Sequence, residues 1–269
     1  AYYRWLENPI GKRDLRNFEL DIEIEAIFRK HKSRYGVKRI YEELKDKEWK
    51  VTEKKVSERM TYLNLVAKAN KAFVKTTDSN HNKHVAPNIL KQNFYAEDKN
   101  QKWVTDISYI PTKEGWLYLC VMVDLYSRMV IGWSMDDNMR SDLVCNSLQM
   151  ALFRRGMPSG VIVHSDKGSQ YCSEQFQEKL TAHKLISSMS GTGCCYDNAA
   201  CESFFGTLKT ELCDDENYQT SEEAKSSIFE YIETYYNVER KHSTINYMTP
   251  KEFEFKMDSE KLNCPKLAG

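Results

Sequence analysis

The sequence predicts an α/β protein: a mixed five-stranded sheet flanked by helices, preceded by a small all-helical domain. Three observations carry that expectation. Apolar residues recur at helical spacing through most of the first 70 residues, β-rich runs divided by short turns begin at Gln101, and helical and strand patterns then alternate before a helical end. Elements of both kinds in this arrangement bury their apolar faces by packing helices on a sheet.

Leu20, Ile24, Ile27 and Phe28 fall at i, i+4, i+7 and i+8 and predict a helix over residues 19–31, although Ile22 adds a strand-like alternation. Ile40, Tyr41 and Leu44 share one face of a second helix over 38–48, and Val56, Met60 and Leu63 repeat along a third. Thr52 can cap that third helix, without the acidic partner of a full capping box. Three helices with a turn between the second and third suit a helix-turn-helix unit over residues 1–70, with Lys54, Lys55 and Arg59 exposed on the third as DNA-facing groups. A small bundle with a solvated basic face is the plainer alternative. Residues 71–99 are polar and basic without a sustained period, and are expected to form a linker or arm.

In the next segment WVTDISYIP, LYLCVMVDLYS and RMVIGWSM form an antiparallel meander. A helix over 141–155, the strand VIVHSD, the helix SEQFQEKLTAHK and the strand ISSMS follow. From Asp197 the pattern is helical: DNAACESFFGTLKTELC, SEEAKSSIFEYIETYYN and a short TPKEFEFK. This is the element order of the ribonuclease H fold. It divides the chain into a core over 100–215 and a C-terminal helical extension over 216–269.

The net charge is zero but unevenly spread. Residues 1–95 hold 21 Lys and Arg against 13 Asp and Glu, and residues 96–269 hold 18 against 26. A basic front suits phosphate, and an acidic remainder has carboxylates available for metals. No apolar run reaches the roughly 18 residues of a membrane helix, and the charged start lacks a signal-peptide pattern, so a cytoplasmic location is expected. The eight cysteines show no CxxC pair, and the HxxH at His81 and His84 is followed by no cysteine pair; idle thiols are expected rather than zinc ligands or disulfides.

Three carboxylates stand out. Asp106 lies inside a β-run, where an ionised side chain is costly unless it meets a cation. Asp166 ends the VIVHSD strand before Gly168, and Glu202 lies in the first helix after the sheet with Asn198, Phe205 and Lys209 at spacings that share its face. Each alone has a plainer reading as a turn residue or a solvated glutamate. Together they can hold two Mg²⁺ about 3.5–4 Å apart, the arrangement that activates an oxygen nucleophile and stabilises a leaving oxygen at phosphorus. Asp124, in DLYS, reads as a hairpin-turn residue instead. His164 and Asn198 are supporting candidates; His164 and His242 either orient ligands or touch DNA, with a packed or hydrogen-bonded histidine as the plainer reading. Arg240, Lys241 and His242 form a basic cluster that either meets DNA or is a solvated helix end. Tyr231, Tyr235 and Tyr236 read as core.

These residues resemble the insertion-sequence transposases of the orfB type, in the insertion sequence three family, whose catalytic core is similar to retroviral integrase. Asp166 and Glu202 have 35 residues between them, the spacing of the D,D(35)E superfamily. Around the three carboxylates stand WVTDISYI (103–110), HSDKGSQY (164–171), DNAACESFFGTLK (197–209) and YNVERKHSTINYMTP (236–250), each like a signature block of that family. The resemblance implies Mg²⁺ dependence, with Mn²⁺ able to substitute, and Asp106, Asp166 and Glu202 as metal ligands. It implies strand cleavage and strand transfer on double-stranded DNA, at the element's terminal repeats and at a target, by a homodimer or larger complex; Lys209 falls where the family contacts the element's end. Two alternatives remain: a DNA-binding regulator without chemistry, and a nuclease without strand transfer. The family commonly joins an upstream helix-turn-helix and leucine zipper to this part by frameshifting. No heptad run precedes Tyr2 and the chain lacks an initiating Met, so end recognition and dimerisation are expected to reside partly outside these residues.

Overall fold

The computed structural model describes residues 11–69, 85–191 and 198–263. The chain divides into two compact units, residues 1–70 and 71–269. His81, His84, Cys194, Cys195 and Cys264 lie outside the described residues.

The first unit is three helices: α1 (Lys12–Lys30), α2 (Val37–Asp46) and α3 (Glu53–Tyr62). Their buried faces are Leu20, Ile24, Ile27 and Phe28 on α1, Ile40 and Leu44 on α2, and Val56 and Met60 on α3. The predicted residues therefore form the core, except Tyr41 and Leu63, which are half-buried. Helix α1 begins eight residues before the apolar period does, because its first two turns are solvated: Leu15 and Phe18 are exposed, and good helix formers extend it without an apolar signal. The Thr52 hydroxyl accepts from Lys55 N at 3.3 Å and caps α3. Of the three basic residues expected to be exposed there, only Lys54 is. Lys55 is half-buried, and Arg59 is folded back, its guanidinium paired with Asp21 of α1 and lying 4.2 Å from the Tyr62 ring centroid. Arg59 is thus first a tie between α1 and α3.

In the second unit β1 (Lys102–Thr112), β2 (Gly115–Asp124) and β3 (Val130–Asp136) form the antiparallel meander. Helix α4 (Ser141–Arg154) leads to β4 (Ile162–Ser165), and α5 (Glu174–Ala182) to β5 (Ile186–Met189). The sheet order is β3-β2-β1-β4-β5, with β4 parallel to β1 and β5 parallel to β4. This is the ribonuclease H-like sheet that the element order predicts. One core lies between Trp103, Cys120, Met122 and Val163 of the sheet and Leu148, Leu152, Phe176 and Leu180 of the helices. Residues 85–90 run along β5: Met189 N donates to the Pro87 carbonyl, and the Ser188 hydroxyl accepts from Ile89 N at 2.9 Å, which covers an otherwise open edge.

Helix α6 (Ala199–Glu211) and α7 (Ser221–Glu230) follow, and α7 runs into a π-helical turn, Tyr231–Tyr236. The wider turn brings Tyr231, Ile232, Tyr235 and Tyr236 all to the inside, as expected of core residues. Helix α8 (Pro250–Asn263) is much longer than TPKEFEFK suggests. Thr249 and Glu252 form a reciprocal capping box, and Pro250 opens the helix, which fixes its start.

Helix α4 lies so close to β3 that Gly132 has no room for a side chain: a Cβ there would stand 2.3 Å from the Ser147 carbonyl oxygen and 2.8 Å from Ala151 N. Backbone cannot retreat as a side chain can. Gly132→Ala is expected to lower unfolding free energy by about 2–3 kcal/mol in urea titration.

Candidate active site

Two strands set the first pair of carboxylates. Val104 pairs with His164 in the parallel β1–β4 ladder, and two residues further along each strand's path stand Asp106 and Asp166. Asp106 is half-buried within β1, and its Oδ1 accepts from the Ile107 amide at 2.8 Å. Asp166 follows β4 at a turn closed by Gly168 N donating to its Oδ1 at 2.8 Å. A Cβ on Gly168 would sit 2.9 Å from that oxygen, so glycine is what lets the turn close on the carboxylate. Glu202 occupies the first turn of α6, where the helix N-terminus favours negative charge. The Asn198 side chain is buried just before α6 and donates through Nδ2 to the Thr105 carbonyl at 3.2 Å, which fastens the start of α6 to the strand residue preceding Asp106.

Burial, the neighbouring Asp166 and then Glu202 push the Asp106 carboxyl well above the usual carboxylate range, against the Ile107 amide and the Lys209 ammonium, which favour its charged form. All three carboxylates and Lys209 therefore act on one place. Lys209 also stands 5.1 Å from the centroid of the Tyr109 ring on β1. The donor set suits a hard divalent cation: three carboxylates from three elements, with the Cys201 thiol beside them held protonated by burial and by Asp106. Among the described residues no three His, Cys, Asp or Glu side chains stand close enough to enclose a metal unaided. Mg²⁺ asks less than such a cage, since it keeps several waters and takes one or two carboxylates.

The other expectations fare differently. His164 is fully buried and meets Ser188 of β5 through Nδ1 at 2.9 Å; because Ser188 also accepts from Ile89 N, His164 belongs to the clasp on residues 85–90 and is not open to DNA. Asp124 is fully buried as a structural anion, accepting from Asn100 N and Tyr126 N and lying 3.3 Å from the Arg155 guanidinium. Arg240, Lys241 and His242 are buried, each less than 9 % exposed, which corrects both the DNA-facing and the solvated reading. Arg240 makes a forked ion pair with Glu211 at 2.8–3.0 Å, its Nη1 approaches the His242 ring, and Tyr231 donates its hydroxyl to Glu211 at 2.8 Å. Glu211 had escaped attention. It shares the apolar face of α6 with Phe204 and Leu208, and a carboxylate on such a face is the sign of a buried partner. Tyr171 was missed as well. Its hydroxyl meets Thr105 Oγ1 at 3.1 Å and ties the loop after Asp166 to β1. Among the described residues Cys120, Cys145, Cys172 and Cys201 are buried free thiols.

Residues 13–73 match the HTH-like domain family, and residues 96–195 and 202–257 match two integrase core domain families. The transposase InsF for insertion sequence IS3A of Escherichia coli (strain K12) is 43% identical over 258 residues, covering 95% of this chain and 90% of that protein. The chain belongs to the IS3 family of insertion-sequence transposases. A second member of that kind, the transposase for insertion sequence element IS904 of Lactococcus lactis, is 41% identical over 91% of this chain and 96% of its own length. Among solved structures, the HTLV-2 integrase catalytic core domain in complex with magnesium aligns with 60% of this chain and 98% of its own, at 18% identity and a TM-score of 0.43. Asp106 and Asp166 fall within the first integrase core match and Glu202 opens the second. No described helix is long and apolar enough to cross a membrane.

Two outcomes follow from these contacts. A raised folded-state pKa means that native Asp106 holds its proton where the unfolded chain has lost it, so this group's contribution to stability falls as pH rises from the ordinary carboxylate range through the raised value. In chelator, Asp106→Asn is expected to raise the melting temperature at neutral pH and to remove that part of the decline, read by thermal scans against pH. Arg240→Met strands Glu211 as a buried charge and is expected to lower unfolding free energy by about 3–5 kcal/mol in denaturant titration.

Proposed function

We propose that the protein cuts and joins DNA strands at the ends of an insertion sequence, with Asp106, Asp166 and Glu202 as the catalytic carboxylates and Mg²⁺ as the cofactor, Mn²⁺ substituting. The observation that carries this reading is that Asp166 and Glu202 both act on the Asp106 carboxyl held in β1, in a chain of the IS3 transposase family. Carboxylates this close repel, and a divalent cation relieves that repulsion.

When bound, a pair of such cations activates the attacking oxygen and stabilises the leaving oxygen in a displacement at phosphorus. The chain's own residues do the rest. Asp106 and Asp166, fixed by the β1–β4 register, present carboxylate oxygens from the sheet, and Glu202 presents one from the helix above it. Asn198 and Tyr171 hold those supports in place through Thr105. Lys209, over Tyr109, supplies a cation toward the phosphate backbone of the bound end. The same carboxylates serve water first and a freed 3′ hydroxyl second, so one site performs cleavage and transfer. Double-stranded DNA is the partner for both steps, as terminal repeats and as target, with the helical unit contributing through Lys54 and a homodimer or larger complex holding two ends.

Glu202→Gln keeps the size of the side chain and removes its charge. It is expected to abolish strand cleavage in Mg²⁺ while leaving the affinity for end DNA within about twofold, measured by gel assay and fluorescence anisotropy. Wild-type cleavage by that variant would sink the assignment.

A further inference from the structure

A pocket opens beside the β2–β3 turn. It has a volume of about 490 Å³ and lies between the segment before β1, the β2–β3 turn and the start of α8, with Phe94, Tyr95, Glu97, Tyr126, Arg128 and Phe253 on its walls. Tyr126 and Phe253 are a tilted pair with centroids 5.1 Å apart, and Tyr95 is largely exposed at the mouth.

Arg128 is costly where it stands. Its φ is +64°, the left-handed position of a tight hairpin closed by Arg128 N donating to the Asp124 carbonyl at 2.8 Å, a position that glycine or asparagine occupies with least strain. Its guanidinium is half-buried, and among the described residues no hydrogen bond or ion pair is made by it; desolvation draws its pKa down, with only the Tyr236 hydroxyl acting the other way. The nearby carboxylates Asp124 and Glu254 are both engaged by Arg155. Glu97 on the same wall is exposed. A guanidinium without an anionic partner, on a left-handed backbone and beside an aromatic-walled pocket of ligand size, suits a planar group carrying an anion.

We propose that this pocket holds one unstacked nucleotide of a bound DNA strand, its phosphate on Arg128 and its base against Tyr95 and Tyr126. The inference rests on the DNA reading above and extends it to a subsite lined by none of the three carboxylates. A guanidinium offers a phosphate two parallel hydrogen bonds, and every base has a face on which an aromatic ring can stack, so the pocket takes a nucleotide without reading its identity.

The test uses the full chain in chelator, so that strand cleavage does not enter, and a fluorescein-labelled duplex with a single-stranded 3′ extension. Its affinity is measured against NaCl concentration. Arg128→Gly is expected to reduce the salt slope by about one phosphate contact, while raising the melting temperature by about 2–4 °C because both penalties at residue 128 are removed. Arg128→Lys should keep the slope and lose affinity severalfold, since an ammonium cannot make the fork. Tyr95→Ala should weaken binding about tenfold with the slope unchanged. An unchanged slope in Arg128→Gly overturns the site, as does a lowered melting temperature, which would make Arg128 a structural residue. Cleavage by Glu202→Gln would overturn the catalytic assignment instead, and leaves these binding slopes untouched.

Discussion

Val104 pairs with His164, and that single register sets Asp106 beside Asp166, two carboxylates of the proposed reaction centre. Asp106 and Asp166 each lie two residues beyond that pair, so the parallel ladder delivers two carboxylates side by side at the point where β4 ends and β1 continues. Side chains alternate along a strand, and a slip of one residue would turn one of them to the opposite face of the sheet. The register is pinned from both sides. Trp103 and Val163, the pair next to it, are buried in the core, and His164 is clasped to Ser188 on β5. The third carboxylate then needs only a helix held at a fixed height over β1.

That helix is held at both ends. Asn198 secures its start to the Thr105 carbonyl, and Glu211 secures its last turn to Arg240, Tyr231 and, through Arg240, to His242. A buried ion pair adds little net stability over a well-packed apolar pair, yet it tolerates few alternative geometries, because a displaced partner leaves a charge stranded. Placed in the last turn of α6, such a pair fixes the rotation of the helix, and the rotation decides where Glu202 points. The C-terminal helices therefore bear on the proposed catalytic centre. Their own attachment runs through Asn237, whose side chain bonds both backbone groups of Val130, and through Glu254, which Ser127 and Arg155 grip on the far side.

The strands and helices were legible because period-2 and period-3.6 patterns record which face is buried, and Asp106 stood out because an aspartate within a strand contradicts the local pattern. What could not be read were contacts between segments distant in sequence. Arg240, Lys241 and His242 make a basic tripeptide in any linear reading; only the fold reveals that Glu211, 29 residues earlier, waits for the first of them. Arg59 was misplaced for the same reason, since Asp21 is 38 residues away. Other misses were local and avoidable. The capping box of Thr249 and Glu252 is written in four consecutive residues, and Glu211 on an apolar helical face is a visible conflict that demands a partner.

The residues that conflict with their surroundings fall into two kinds, and the difference between them separates stability from function. Glu211 and Asp124 are buried carboxylates whose charges are met by Arg240 and Arg155, so the fold is consistent around them. Asp106 and Arg128 are the reverse: one carboxylate pressed upon by two others, and one guanidinium in a strained backbone without a carboxylate against it. A chain shaped for stability alone would replace both, with asparagine and with glycine. Keeping opposite charges in these two places makes sense if each is neutralised from outside the protein, Asp106 by a cation and Arg128 by an anion. A metal-dependent enzyme acting on a polyanion brings both to its surface in every catalytic complex.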